Sequence, residues 1–167
     1  MNESTDTRER MPAKKDIATE RLQNAYNCAQ SVLSAFRDET GLDNDLALRI
    51  ATGLGAGMGR TGEVCGAVTG GILVLGLRHG RGAADGRPAT EHTYLKTVEL
   101  MERFAARHGS WVCRDLLRGY DLKTEEGRRH AKAEDTMGRI CRPCVHSVIE
   151  ILERMKEEDP ARGPAGT

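Results

Sequence analysis

The residues of this chain with chemistry to offer are its five cysteines, Cys28, Cys65, Cys113, Cys141 and Cys144. A thiolate, unlike a thiol, ligates metals and attacks disulfides, and the unpaired N–H groups and positive dipole end of a helix N-terminus favour it. Cys65 falls in the first turn of an apolar, glycine-containing helix, and Cys113 comes three residues after the cap candidate Ser110. Cys141 and Cys144 bracket Pro143, a residue suited to a helix start. Cys28 reads as lying inside a helix at the margin of its apolar stripe, facing either the core or the edge of a site. An odd cysteine count in a chain expected to be cytosolic does not suggest a disulfide framework; metal, cluster or thiol redox chemistry stands against buried inert thiols. Gly66 and Gly70 lie four apart on one helix face, so a neighbouring backbone or a bulky cofactor can come close beside Cys65. Each glycine costs up to about 1 kcal/mol against alanine in a helix interior, and close approach offsets it.

Cys141-Arg142-Pro143-Cys144 has C-x-x-C spacing, which makes Cys113, Cys141 and Cys144 the redox candidates of a thiol–disulfide mechanism. A thioredoxin-type pair expects a βαβ context, and no strand is apparent; Cys144 equally suits an additional ligand or a resolving thiol. Covalent c-type haem is not expected, because its attachment needs C-x-x-C-H and His146 stands one residue late. His146 is close enough to Cys144 to be a further ligand. His79 and His108 each precede a glycine at a helix end, where a cation suits the dipole, and read as structural. The run from Gly53 to Gly59, GLGAGMG, fits neither a dinucleotide nor a P-loop pattern and reads as a flexible connection into the next helix. No serine or carboxylate constellation suggests a hydrolase.

The elements that position these residues are helices. Ala18, Leu22, Ala25, Tyr26, Ala29, Val32, Leu33 and Phe36 recur at three and four, predicting one helix over 17–36 that Gly41 stops. Asp43 or Asn44 caps a second, which runs to Leu54. A third, from about Glu63 to Leu77, is apolar nearly all round and therefore central. Tyr94, Leu95, Val98, Met101, Phe104 and Ala105 predict a fourth, ended by Gly109. Ser110 caps a short fifth, Thr124 a sixth, and Pro143 opens a seventh. Alternating β-branched runs are absent, so the fold is predicted to be all-α: a compact helical bundle of about six to seven helices around the glycine-containing apolar one. The chain of 167 residues predicts a single domain over 16–157 between polar tails at 1–15 and 158–167.

Lys and Arg total 25, as do Asp and Glu, so no field of one sign draws the protein to nucleic acid or anionic lipid. The longest apolar run, Val64 to Leu77, is too short and glycine-rich to span a bilayer, and the charged N-terminus lacks an apolar signal core. No nucleic-acid partner, no membrane insertion and a cytoplasmic location are expected.

Four stretches carry a resemblance: NCAQSVLSAF, GMGRTGEVCGAVTGGILVLGLRHG, CRDLLRGYDL and CRPCVHSVIEIL. In that order, over roughly Asn27 to Leu152, they resemble the redox-active family named for its C_GCAxxG_C_C cysteine pattern. The resemblance implies that the family cysteines fall on Cys28, Cys65, Cys113 and Cys141, with Gly66 and Gly70 as the glycines of the central motif. Val64 stands where the family pattern has a glycine. The family is similar to a domain of split-Soret cytochromes, which are dimeric and hold haem and an iron–sulfur centre, so the resemblance implies an all-α fold, a thiolate-ligated site and a homodimer. Three functions follow. Cys28, Cys65, Cys113 and Cys141 hold an iron–sulfur cluster or another thiolate-bound metal such as zinc, for electron transfer or redox sensing with a partner the sequence does not name. Alternatively, Cys141 or Cys113 attacks in a metal-free thiol–disulfide switch, or the cysteines merely pack in a helical interaction module.

Overall fold

The computed structural model describes residues 12–160. Of the expected tails, residues 1–11 and 161–167 lie outside the described residues. The helix expected over 17–36 is two helices, α1 (Lys14–Gln23) and α2 (Cys28–Ala35), joined by a turn with Ala25 at φ 64°. The cause is local. The Asn27 side chain accepts the Gln30 backbone N–H at 3.0 Å while the Gln30 side chain accepts that of Asn27 at 2.9 Å, a reciprocal cap that starts a helix. The two helices pack on each other and bury Ala18, Leu22 and all of α2, while Ala25 in the turn is exposed and Tyr26 only partly buried, so the expected apolar face is interrupted at the break. Cys28 is therefore the first residue of a helix and not an interior one.

The short α3 (Arg37–Thr40) ends at Gly41 in the left-handed conformation, as expected of that glycine. α4 (Asn44–Ala51) starts where Asp43 accepts the Leu46 N–H at 3.0 Å, and a 3-10 turn, Thr52–Leu54, follows it. The glycine run then forms α5 (Gly55–Arg60), a left-handed turn in which Ala56, Gly57, Met58, Gly59 and Arg60 have φ between 52° and 76°. Left-handed helix costs about 1–2 kcal/mol per residue bearing a Cβ, and the glycines relieve two of the five. The segment is a defined turn, and the connection expected there to be flexible is not what the chain forms.

α6 (Gly66–His79) is the central helix, packed against α2, α7 (Arg87–His108) and α10 (Arg142–Glu158), with Ala67, Val68, Val74 and Leu75 fully buried. α7 is longer than the apolar pattern suggested, with Pro88 in its first turn and a left-handed Gly109 at its end. Leu100 and Phe104 are buried, but Tyr94, Leu95 and Val98 of the expected core face are exposed. The first half of α7 runs past the end of α10, meeting it at Asp159 through His92 and Lys96.

Val112, not Ser110, holds the cap position of α8 (Cys113–Leu116); the Ser110 hydroxyl accepts the Val112 N–H and donates to Asp115. Thr124 caps α9 (Glu125–Ala133) as expected, accepting the Gly127 N–H at 2.9 Å. A π-helical turn, Met137–Cys141, leads directly into α10, whose first turn holds Pro143. An isolated antiparallel bridge pairs Val64 with Val112, and among the described residues there is no longer strand. The fold is a compact all-α bundle in which, among the described residues, seven helices have seven residues or more. Among the described residues no helix is long and apolar enough to cross a membrane.

Candidate functional site

Each cysteine enters from the start of a helix. Cys28 opens α2, Cys65 holds the cap position of α6, and Cys113 opens α8. Cys141 stands at the cap of α10, and Cys144 lies in that helix's first turn. Sequence reasoning found this pattern at three of the four cysteine locations, and the break before α2 adds the fourth. The bridge between Val64 and Val112 brings two of them together: the Cys65 N–H donates to the Trp111 carbonyl at 2.8 Å and the Cys113 N–H to that of Glu63 at 2.6 Å.

All five cysteines line one pocket of about 140 Å³. Leu116, Leu117, Leu122 and Ile140 supply its branched aliphatic side chains, Asn27 and Thr136 are its polar members, and no charged side chain lines it. Met137, 42% exposed, marks the mouth. Cys141 is half-buried and the other four thiols are buried.

Glycines set the spacing of the walls. A Cβ on Gly57, which sits at φ 61°, would stand 2.6 Å from the Cys113 Cβ; one on Gly66 would stand 3.0 Å from the Cys28 Cβ. Gly66 therefore belongs to the pocket wall. Gly70 does not line the pocket: its missing Cβ leaves room for the backbone of α2, with the Ala29 carbonyl oxygen 2.8 Å from where that Cβ would be. Of the two close partners allowed by the sequence, a backbone or a cofactor, Gly70 serves the backbone.

The neighbouring Cys144 thiol and the backbone N–H groups of Ala67 and Val68 hold Cys65 below the ordinary thiol value despite its burial. Cys144 is correspondingly pushed up, by Cys65 and by burial. The neighbouring Cys141 and burial push Cys28 up, while Cys28 holds Cys141 down. Burial pushes Cys113 up to about 12, aided by negative charge on Cys65 and Cys141. Cys141 and Cys144 of the C-x-x-C run both line the pocket, beside Cys113.

His146, an expected additional ligand, points elsewhere. Its Nε2 lies 2.8 Å from the Thr19 hydroxyl on α1, and the residue does not line the pocket. The histidine that reaches the site is His108, read from the sequence as structural. Its Nδ1 contacts the Cys144 sulfur at 3.9 Å, its Nε2 bonds the Ser147 hydroxyl at 2.9 Å, and its ring lies against Phe104. No local signal marks this role, because His108 ends α7 and Cys144 begins α10. Burial and the adjacent Arg107 lower the His108 pKa, favouring the neutral ring.

Among the described residues no three His, Cys, Asp or Glu side chains converge tightly enough to hold one metal ion. The thiols surround a space instead of meeting at a point.

A family model described as "Putative redox-active protein (C_GCAxxG_C_C)" matches residues 26–155. A protein of Archaeoglobus fulgidus described as "Uncharacterized protein" is 28% identical over 152 residues, covering 86% of this chain and 94% of that protein. No solved structure matches the chain.

Proposed function

The chain belongs to the C_GCAxxG_C_C redox-active family, and from that membership we propose that it transfers electrons or senses redox state through an iron–sulfur cluster held by Cys28, Cys65, Cys113 and Cys141. The observation that carries this reading is the meeting of cysteines from separate helix starts on one pocket without a charged wall. Several thiolates in so apolar a space repel one another strongly, and a multiply positive group is what offsets that repulsion. A single tetrahedral ion with metal–sulfur bonds of about 2.3 Å would need sulfurs only about 3.8 Å apart; thiols set around a space suit a polynuclear group better.

An iron–sulfur cluster, when bound, supplies one-electron chemistry. The chain's own residues do the rest. Cys65 and Cys141 favour the thiolate form that a ligand needs. Leu116, Leu117, Leu122 and Ile140 keep water from the sulfurs, and Met137 leaves the side where a redox partner would approach. A cytoplasmic location, where thiols stay reduced, agrees with this reading.

Anaerobic purification followed by determination of iron, acid-labile sulfide and zinc per chain, with the visible spectrum, tests it. Iron with sulfide and visible charge-transfer bands is the expected result, lost in each of C28S, C65S, C113S and C141S. Stoichiometric zinc, or no iron uptake from ferrous iron and sulfide under reducing conditions, overturns it. The gathering of all five thiols on one pocket favours a second reading, a metal-free thiol–disulfide protein, which a colourless protein with reversible disulfides would support.

A further inference from the structure

We propose that the rim of the pocket is the docking surface for a small acidic electron-carrier protein, with Arg118, Lys123 and Arg142 as its charged contacts around Met137. What passes between the two proteins rests on the cluster reading above; the docking itself does not. Two parts of the chain cover the pocket beside the exposed Met137. Segment 116–122 lines it with Leu116, Leu117 and Leu122, and the π-helical turn lines it with Ile140 and Cys141. Each cover turns these side chains inward and exposes cations next to them in the chain: Arg118 follows Leu117, Lys123 follows Leu122, Arg139 precedes Ile140 and Arg142 follows Cys141.

The acids of the same rim are engaged in its own turns. Asp115 accepts the Ser110 hydroxyl at 2.9 Å, Asp121 the Lys123 backbone N–H at 2.9 Å and Asp135 the Gly138 N–H at 3.2 Å. Arg114 lies 3.7 Å from Glu63 and Arg139 3.8 Å from Glu134, but Arg118, Lys123 and Arg142 form no ion pair among the described residues. An apolar centre ringed by charge is the anatomy of a protein interface, and a deformable methionine suits a transient one. A small anion would need cations converging on one point, and none lines the pocket. The chain as a whole is uncharged, so the patch acts within about 10 Å at 0.1 M salt and orients a partner on contact. One electron then passes from the reduced carrier to the group in the pocket, with no bond made or broken and no proton required.

Titration calorimetry of the full-length protein, purified anaerobically, tests the docking with plant-type ferredoxin as the acidic carrier and cytochrome c as the basic one. At low salt ferredoxin is expected to bind about tenfold or more tighter than cytochrome c, and to lose about tenfold in affinity at 0.5 M salt. R118E, K123E and R142E should each weaken ferredoxin binding about threefold, and the three together should reverse the preference. R87E, at the opposite end of α7 from the pocket residue neighbour His108, should leave it unchanged. Equal affinity for the two carriers, binding of neither, or a triple variant that binds ferredoxin as wild type does overturns the proposal. So does a triple variant that changes the sedimentation of the protein alone, which would assign the patch to a second copy of the chain. Stopped-flow reduction by reduced ferredoxin should slow about tenfold in the triple variant. If the protein holds no iron, the cluster reading fails while calorimetry still decides the docking.

Discussion

At Gly57 one missing methyl group decides whether the Cys113 side chain can sit where it does. The residue has φ 61°, and a Cβ there would lie 2.6 Å from the Cys113 Cβ. G57A adds left-handed strain to overpacking, so it is expected to cost about 2–4 kcal/mol and to abolish iron uptake. G53A is the control: its Cβ would meet nothing within 4 Å, and surface changes of this kind stay within about 0.5 kcal/mol. Urea denaturation of both, beside iron content, checks the pair; equal stability would mean that the left-handed turn does not set the pocket wall. The glycine run is visible in the sequence, but its left-handed winding is not, since alternating glycines are equally compatible with a loop.

At the scale of elements, the site depends on how closely α2 lies on α6. Gly70 permits that approach, and the same helix carries Gly76, where a Cβ would meet nothing within 4 Å. G70A is expected to destabilise by about 1–3 kcal/mol, because the Ala29 carbonyl 2.8 Å away is backbone and cannot yield. G76A should instead stabilise by about 0.5–1 kcal/mol, the usual gain of alanine over glycine in a helix interior. Shifts of the urea midpoint in opposite directions confirm the distinction, and a loss at both positions would show that α6 tolerates no added side chain. The start of α2 has its own test. N27A removes the reciprocal cap, with an expected cost of about 1 kcal/mol and weaker iron retention, since Cys28 is the first residue beyond it. That cap was legible as an Asn-x-x-Gln spacing. The three-and-four spacing of apolar residues on either side of it predicts one continuous helix instead, because Ala25 and Tyr26 fit that spacing although neither is buried in the turn.

For the molecule as a whole, the bundle is tied together at Glu39. Its carboxylate bonds the buried Arg78 of α6 at 2.6 Å, and the Lys156 and Lys14 ammonium groups of α10 and α1 lie 3.2 and 3.9 Å from it. Arg78 also donates to the Leu152 carbonyl and lies over the Phe36 ring. Burial pushes Glu39 up, but Arg78 and Lys156 outweigh it and hold the group below the ordinary carboxylate value. A depressed native pKa contributes stability above the unfolded value of about 4.3 and loses it as pH falls through the native value. E39Q is therefore expected to cost about 3 kcal/mol near pH 7 and to flatten the loss of stability below about pH 4.3. Denaturation at several pH values measures both, and an unchanged acid slope would show that other carboxylates govern acid unfolding. The sequence by itself determined the all-α class, the central glycine-containing helix, a cap at Asp43 or Asn44, the cap at Thr124 and the helix-start positions of Cys65, Cys113 and Cys141. These follow from interactions between residues three or four apart. Only the tertiary structure decided that all five cysteines line one pocket, that His108 and not His146 reaches the thiols, and that Tyr94, Leu95 and Val98 face outward. Those outcomes depend on how helices distant in sequence dock, and docking is set by the shape of the whole core, which no local spacing encodes.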